Sequence, residues 1–240
     1  MNAYGQPIGP PMAGWAERPR PQRIAISGRY CRVEPVDVER HARELFEAYL
    51  QAPDARDWTY LSSERPVSVV LFREYLGNLA ASNDPLHYAI VDLVNRKAVG
   101  TAALLRIEPL HGVIEVGYIA FSPLLKSTRA GTEAMYLLMA HVFDELGYRR
   151  YEWKCDSLNA PSCLAAKRYG FSFEGIFRDA IIYKSRSRNT AWFSIIKDEW
   201  PQIRTAFERW LDPDNFDAAG RQRRGLVAIR ESISSLISAC

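Results

Sequence analysis

Val113-Ile114-Glu115-Val116-Gly117-Tyr118-Ile119-Ala120-Phe121, a loop through Lys126-Ser127-Thr128, and then Arg129-Ala130-Gly131-Thr132-Glu133-Ala134 set the architecture of this chain. The first run is rich in β-branched and aromatic residues and closes at Ser122-Pro123, which reads as a strand. The last run opens a helix. Met135, Leu138, Met139, Val142, Phe143 and Leu146 recur at spacings of three and four on one face, and Gly147 is placed to stop it. Arg150-Tyr151-Glu152-Trp153-Lys154-Cys155 then reads as a second strand. Strand, helix and strand of these lengths predict a right-handed βαβ crossover with two parallel strands.

A helix start offers unpaired backbone N–H groups and a positive dipole end, so the loop before this helix is a natural phosphate seat. Lys126 and Arg129 add charge there, Ser127, Thr128 and Thr132 add hydroxyls, and Gly131 leaves room for close approach. The spacings of a Walker loop and of a dinucleotide-binding turn are both missing.

These residues resemble the phosphate loop of the Gcn5-related N-acetyltransferases, Gln/Arg-x-x-Gly-x-Gly/Ala at the start of the central helix. Here the matching positions are Lys126, Arg129 and Gly131, so an arginine stands at the middle glycine. Glu115-Val116-Gly117-Tyr118 precedes the loop, and Asn159-Ala160-Pro161-Ser162 and Gly170-Phe171 follow in the family's order, similar to the branch holding the ribosomal-protein N-terminal acetyltransferases. The likeness spans roughly residues 29 to 200 by element order. It implies acetyl-CoA as co-substrate and no metal. By the same resemblance the pantetheine arm pairs with Ile119, Ala120 and Phe121. The pyrophosphate rests on Lys126, Thr128, Arg129, Ala130, Gly131 and Thr132, Asn159 holds the cofactor arm, and Ser162 is the acid for the departing thiolate.

Working outward, residues 1–28 form a proline-rich arm, either mobile or anchored through Trp15. Residues 29–211 form the acetyltransferase domain, and 212–240 a C-terminal tail that can be helical. The domain begins with a strand at Arg29–Glu34. A helix capped by Asp37 follows, then the aromatic loop Arg56–Leu61 and a second helix from about Ser68 to Leu79. His87–Val94 and Ala98–Ile107 read as an antiparallel hairpin. A helix after Asn159 ends at Gly170. Phe171 through Tyr183 and Asn189–Ile196 read as strands joined by a basic loop, Lys184–Arg188, and a final helix covers Asp198–Leu211. The expected fold is α/β, with a mixed, centrally splayed sheet of about seven strands flanked by helices. A ligand crevice belongs where neighbouring strands part.

Hydrophobic residues at 48% and charged residues at 25% of 240 are ordinary globular usage. A net charge of +3 suits an anionic co-substrate without calling for nucleic acid. Cys31, Cys155, Cys163 and Cys240 show no paired spacing and the histidines do not cluster with them, so zinc and disulfides are not expected. No apolar run reaches the length of a membrane span, and a cytoplasmic protein is expected. The tail, with Arg221-Gln222-Arg223-Arg224 and a weakly amphipathic run after it, reads as solvated or self-associating in preference to a membrane-surface helix, which leaves a homodimer open.

Acetyl transfer to an amine needs positioning, a proton acceptor and donors to the carbonyl oxygen, but no covalent enzyme intermediate. Glu115 is the candidate base because it sits beside the cofactor gap among apolar neighbours, where burial would raise its pKa; pairing with Arg106 is the competing reading. Asn159 and Ser162 also suit a cap and a first helical turn. Trp58 and Tyr60 either line the acceptor cleft, as the resemblance implies, or fill a core beneath their loop. The expected acceptor is a small-molecule or peptide amine. A non-catalytic acyl-CoA sensor and an enzyme using aminoacyl-tRNA are the alternatives.

Overall fold

A computed structural model of the chain describes the backbone of residues 1–238 and the side chains of residues 1–235, so Cys240 lies outside the described residues. Eight strands form one mixed sheet in the order β1-β2-β3-β4-β5-β6-β8-β7. In chain order they are β1 (Ile26–Ser27), β2 (Cys31–Pro35), β3 (Leu86–Asp92), β4 (Lys97–Glu108), β5 (Val113–Phe121), β6 (Arg150–Asp156), β7 (Ser172–Tyr183) and β8 (Arg186–Ile196). The helices are α1 (Val38–Tyr49), α2 (Val69–Ala81), α3 (Arg129–Ala140), α4 (Ala160–Tyr169), α5 (Trp200–Leu211) and α6 (Leu226–Ser238). The strand beyond the seven expected is β1, two residues of the arm paired with β2. It is too short to carry a periodic pattern.

The sheet is buried on both faces, which the alternation along β3 shows. Tyr88 and Ile90 belong to the core under α3, whereas Ala89 and Val91 belong to the core under α1 and α2. Met135, Leu138 and Met139 of α3 are fully buried, each burial contributing about 1.5–3 kcal/mol. α3 runs into a π-type turn at His141–Glu145 and stops at Gly147, whose φ of 71° an L side chain rarely adopts.

β5 and β6 pair in parallel only from Val113↔Arg150 to Val116↔Trp153. Beyond that point β5 stays with β4 and β6 stays with β8. A bulge directs the parting. Ala103 and Thr101 of β4 pair with Gly117 and Ala120, so β5 carries one extra residue there, and Tyr118 takes φ 47°. The β5 edge from Ile119 to Phe121 therefore has β4 on one side and no strand on the other.

The basic segment after Tyr183 is not a loop. Lys184 and Ser185, with φ 47° and 56°, make a two-residue turn of the type that suits a right-twisted hairpin, and Arg186–Arg188 already belong to β8. Without Gly or Asn, that turn carries no sequence signal. The arm is anchored: Trp15 Nε1 donates to the Leu110 carbonyl at 2.8 Å, and the Arg18 guanidinium lies 4.4 Å over the indole. At the other end α6 packs on α4 and α5, with Leu226, Ile229 and Ile233 buried in the main core. It is neither free in solvent nor available as a membrane-surface helix.

Candidate active site

The parting of β5 and β6 opens a crevice through the sheet, with a cavity on each side. The larger, about 1310 Å³, runs from Ile119–Phe121 past Lys126–Thr132 to Arg168, Trp210 and Phe216. The smaller, about 740 Å³, is bounded by Glu115, Tyr118, Lys154, Asp156, Ile181 and Trp192, among others. Tyr60, Ile119, Trp153, Asn159 and Ser162 border both, so the two cavities meet at the crevice.

Thr128 caps α3, its Oγ1 accepting the Gly131 N–H at 3.0 Å. Arg129 and Ala130 follow as the first two helical residues, so their N–H groups have no intrahelical partner. Gly131 is required by protein packing, because a Cβ there would lie 2.7 Å from the Leu125 carbonyl oxygen. Lys126 Nζ is 2.5 Å from Asp57 of the aromatic loop, an ion pair across the cavity mouth. The Arg129 guanidinium packs over Tyr30 and Phe216, 5.1 and 4.5 Å from their ring centres, within the lining of the larger cavity. Thr132 Oγ1 accepts from Arg168 at 3.2 Å. Ala130 is buried and does not border the cavity.

Glu133, in the same first turn, holds the fold together. Its carboxylate is 5% exposed and accepts the backbone N–H groups of Arg29, Tyr30 and Cys31 at 2.8, 2.6 and 2.8 Å. The start of β2 is thereby pinned to the helix whose N-terminus borders the cavity.

At the crevice Asn159 Oδ1 accepts the Ser162 N–H at 3.2 Å, which makes Asn159 the cap of α4, and Ser162 Oγ accepts from Trp153 Nε1 at 3.0 Å. Tyr60 is half-buried and donates to the Leu158 carbonyl at 3.1 Å, bridging the aromatic loop to the α4 cap. Trp58 is buried against Tyr49 and Tyr75 in the α1–α2 core and shows only part of its surface to the larger cavity. Tyr49 donates to the Ala120 carbonyl at 2.9 Å, which occupies that acceptor.

Glu115 lines the smaller cavity. Its Oε2 is 2.9 Å from Lys154 Nζ and 3.4 Å from Arg106 Nε, and burial raises its pKa above the usual carboxylate value against the pull of both cations. Lys154 is itself buried, 2.6 Å from Glu152 and 3.8 Å from the centre of the Trp192 ring. The bulge at Arg106, with φ 48°, frees two N–H groups that Asp84 accepts at 2.8 and 3.1 Å. Asp156 accepts from Tyr183 Oη at 2.9 Å.

Lys154, Asp156, Tyr183 and Trp153 escaped the sequence reading. One signal was present: a lysine between Trp153 and Cys155 in an apolar strand, on the same face as Glu152, is costly unless paired. The cysteines are also closer than their spacing suggests, since Cys155 and Cys163 bring their Sγ atoms to 3.5 Å beside Ser162, and burial pushes the Cys155 thiol up to about 12.

The model of the acetyltransferase (GNAT) domain matches residues 32–172. This chain belongs to the GNAT acetyltransferases. A Gcn5-related N-acetyltransferase from Brucella melitensis is 44% identical, with a TM-score of 0.90 over 92% of this chain and 100% of its own. A GNAT-family acetyltransferase structure from Chromobacterium violaceum is 37% identical, with a TM-score of 0.75 over 82% of this chain and 98% of its own. A Salmonella typhimurium acetyltransferase that modifies the N-terminal serine of a 50S ribosomal subunit protein shares the fold, at 18% identity and a TM-score of 0.62, over 72% of this chain and 99% of its own. No curated protein matches the sequence.

GNAT membership makes the chain an N-acetyltransferase and implies acetyl-CoA as co-substrate. The bare β5 edge and the unpaired N–H groups at the start of α3 fit such a ligand. Among the described residues no helix is long and apolar enough to cross a membrane, and no cluster of His, Cys, Asp and Glu has the geometry to hold a metal.

Proposed function

We propose that this GNAT enzyme acetylates a primary amine, a small molecule or a peptide N-terminus, that reaches the crevice through the smaller cavity while acetyl-CoA occupies the larger. The meeting of the two cavities at Ile119, Trp153, Asn159 and Ser162 carries this reading, because it brings two ligands together from opposite sides of one sheet. The edge of Ile119, Ala120 and Phe121 holds the pantetheine arm, with Asn159 across the gap. The α3 N-terminus, with Lys126, Thr128, Gly131 and Thr132 bordering the cavity and Ala130 offering only its backbone N–H, seats the pyrophosphate. Arg129 adds charge from its stacked position.

In the proposed mechanism a neutral amine attacks the thioester carbonyl directly. Glu115 takes the amine proton, directly or through water, and Lys154 and Arg106 hold its carboxylate in place. Ser162, oriented by Trp153, gives a proton to the thiolate. Tyr60 closes the wall between loop and α4 cap, and Trp58 supports that loop from the core. The smaller cavity mixes Glu115 and Asp156 with Arg106, Arg188, Phe177 and Trp192, a lining suited to a peptide terminus or a small zwitterion rather than a polycation.

The test combines calorimetric titration of acetyl-CoA with thiol release over amino acids, simple amines and peptides bearing free N-termini. Saturable binding with release for one acceptor class is expected. Binding without release from any acceptor favours the sensor reading, and release dependent on aminoacyl-tRNA favours the third. Absence of acetyl-CoA binding overturns the assignment of both cavities.

A further inference from the structure

The smaller cavity holds one cation without a counter-ion. Arg106 pairs with Glu115, and Lys154 pairs with both Glu115 and Glu152. The guanidinium of Arg188, on the wall of the same cavity, makes no ion pair, hydrogen bond or ring contact with any described residue. The three carboxylates that border the cavity are already engaged. Asp84 accepts the Arg106 and Ile107 N–H groups, Glu115 lies against Lys154 and Arg106, and Asp156 accepts from Tyr183 Oη and from the Leu158 N–H at 2.9 Å each.

Arg188 is placed by β8. Alternate residues of a strand share a face, so Arg188, Thr190 and Trp192 form one row along the cavity wall. In the β6–β8 ladder Trp192 pairs with Lys154 and Thr190 with Asp156, and Arg188 lies beyond the last of these pairs, about 13 Å of strand from Trp192. Each of the three keeps a buried polar atom without a hydrogen-bond partner: Arg188 Nε, Thr190 Oγ1 and Trp192 Nε1. Buried polar atoms in folded proteins nearly always have partners, so three in one row beside an uncompensated guanidinium mark a wall that lacks its acceptors. A cavity of about 740 Å³ is the size of a small-molecule site. Three carboxylates around the same space disfavour a dianion, so a singly charged carboxylate suits Arg188 better than a phosphate.

Resting on the reading that the acceptor amine enters this cavity, we propose that the acceptor is a free amino acid, an amine that also bears a carboxylate, and that Arg188 selects it. The Arg188 guanidinium takes the carboxylate through charge-assisted hydrogen bonds, and the amine points toward Glu115 and the crevice. Thr190 and Trp192 line the wall between these two ends. Arg188 determines specificity and does not touch the reacting atoms. A protein N-terminus, whose first carboxyl group is tied up in a peptide bond, brings no such charge to it.

Thiol release from acetyl-CoA tests this over amino acids, their carboxamides, the corresponding decarboxylated amines, and peptides with free N-termini and amidated C-termini. Wild type, Arg188→Gln and Arg188→Lys are compared, with calorimetric titration of acetyl-CoA into each as a check that the fold and the co-substrate site persist. In wild type, kcat/KM for the best amino acid is expected to exceed that for its carboxamide by about tenfold or more, as for a charge-assisted contact. Arg188→Gln should remove most of that preference, mainly through KM, and Arg188→Lys should recover part of it. Equal use of acid and carboxamide by wild type, a preference retained in Arg188→Gln, or faster transfer to amidated peptides than to any amino acid overturns the inference while leaving the functional reading in place. Release to no acceptor by wild type with acetyl-CoA bound overturns both.

Discussion

Replacing Glu133 by alanine should remove a large share of this protein's stability. Its carboxylate accepts three backbone N–H groups at 2.6 to 2.8 Å in a site 5% exposed to solvent. Each hydrogen bond to a charged acceptor contributes about 1.5–3 kcal/mol, and a buried donor left unpaired costs a similar amount. The three share one acceptor and do not add in full. A loss of about 4 kcal/mol is therefore expected, out of a total on the order of 5–15 kcal/mol. Glutamine keeps one carbonyl acceptor but turns an amide N–H₂ toward a donor, so Glu133→Gln should fall between alanine and wild type. Urea unfolding at constant pH, followed by circular dichroism, reads the difference from the midpoint and slope. A Glu133→Ala variant within about 1 kcal/mol of wild type would refute the idea that this carboxylate anchors β2 to α3.

Glu115→Gln should lower turnover by about 10²–10⁴-fold, the usual share of general base catalysis, and a variant that keeps wild-type turnover removes Glu115 from that role. Burial raises the Glu115 pKa, so the folded state binds that proton more tightly than the unfolded chain; its contribution to stability then declines as pH rises from the ordinary carboxylate pKa through the raised one. Glu115→Gln should flatten that part of the stability profile, measured by urea unfolding across acid to neutral pH. Asp57→Asn frees Lys126 from its ion pair and should tighten acetyl-CoA binding by up to about fivefold, an effect that fades in high salt; calorimetry at two ionic strengths checks it. Maleimide at mildly alkaline pH should modify half-exposed Cys163 before buried Cys155, whose thiol burial holds up near 12, as peptide mass spectrometry would show. Equal rates would contradict that ordering.

Much of the fold was legible because helix and strand periods are local. The apolar spacing of Met135, Leu138 and Met139 gave α3, Asn159 and Gly170 bracketed α4, and the run Val113–Phe121 gave β5. The Lys184–Ser185 turn and the packing of α6 were not legible: the first uses positive φ without Gly, and the second depends on a groove made by α4 and α5. Nothing near Glu133 in the sequence points to its role, because its partners lie about a hundred positions earlier, at Arg29 to Cys31.

By itself the sequence determined the βαβ unit, the capped helix start that suits a phosphate, and the position of Glu115 beside the strand that leads there. Those features follow from backbone hydrogen bonding and side-chain period within a few tens of residues. Tertiary structure alone decided that β5 and β6 part after Val116 and Trp153, so that two cavities meet. It also decided that Lys154 and Arg106 flank Glu115, and that residues 216–222 border the same cavity as Lys126. Such contacts join segments far apart in the chain, and they arise from how twisted strands and the helices on both faces pack, which no local pattern encodes.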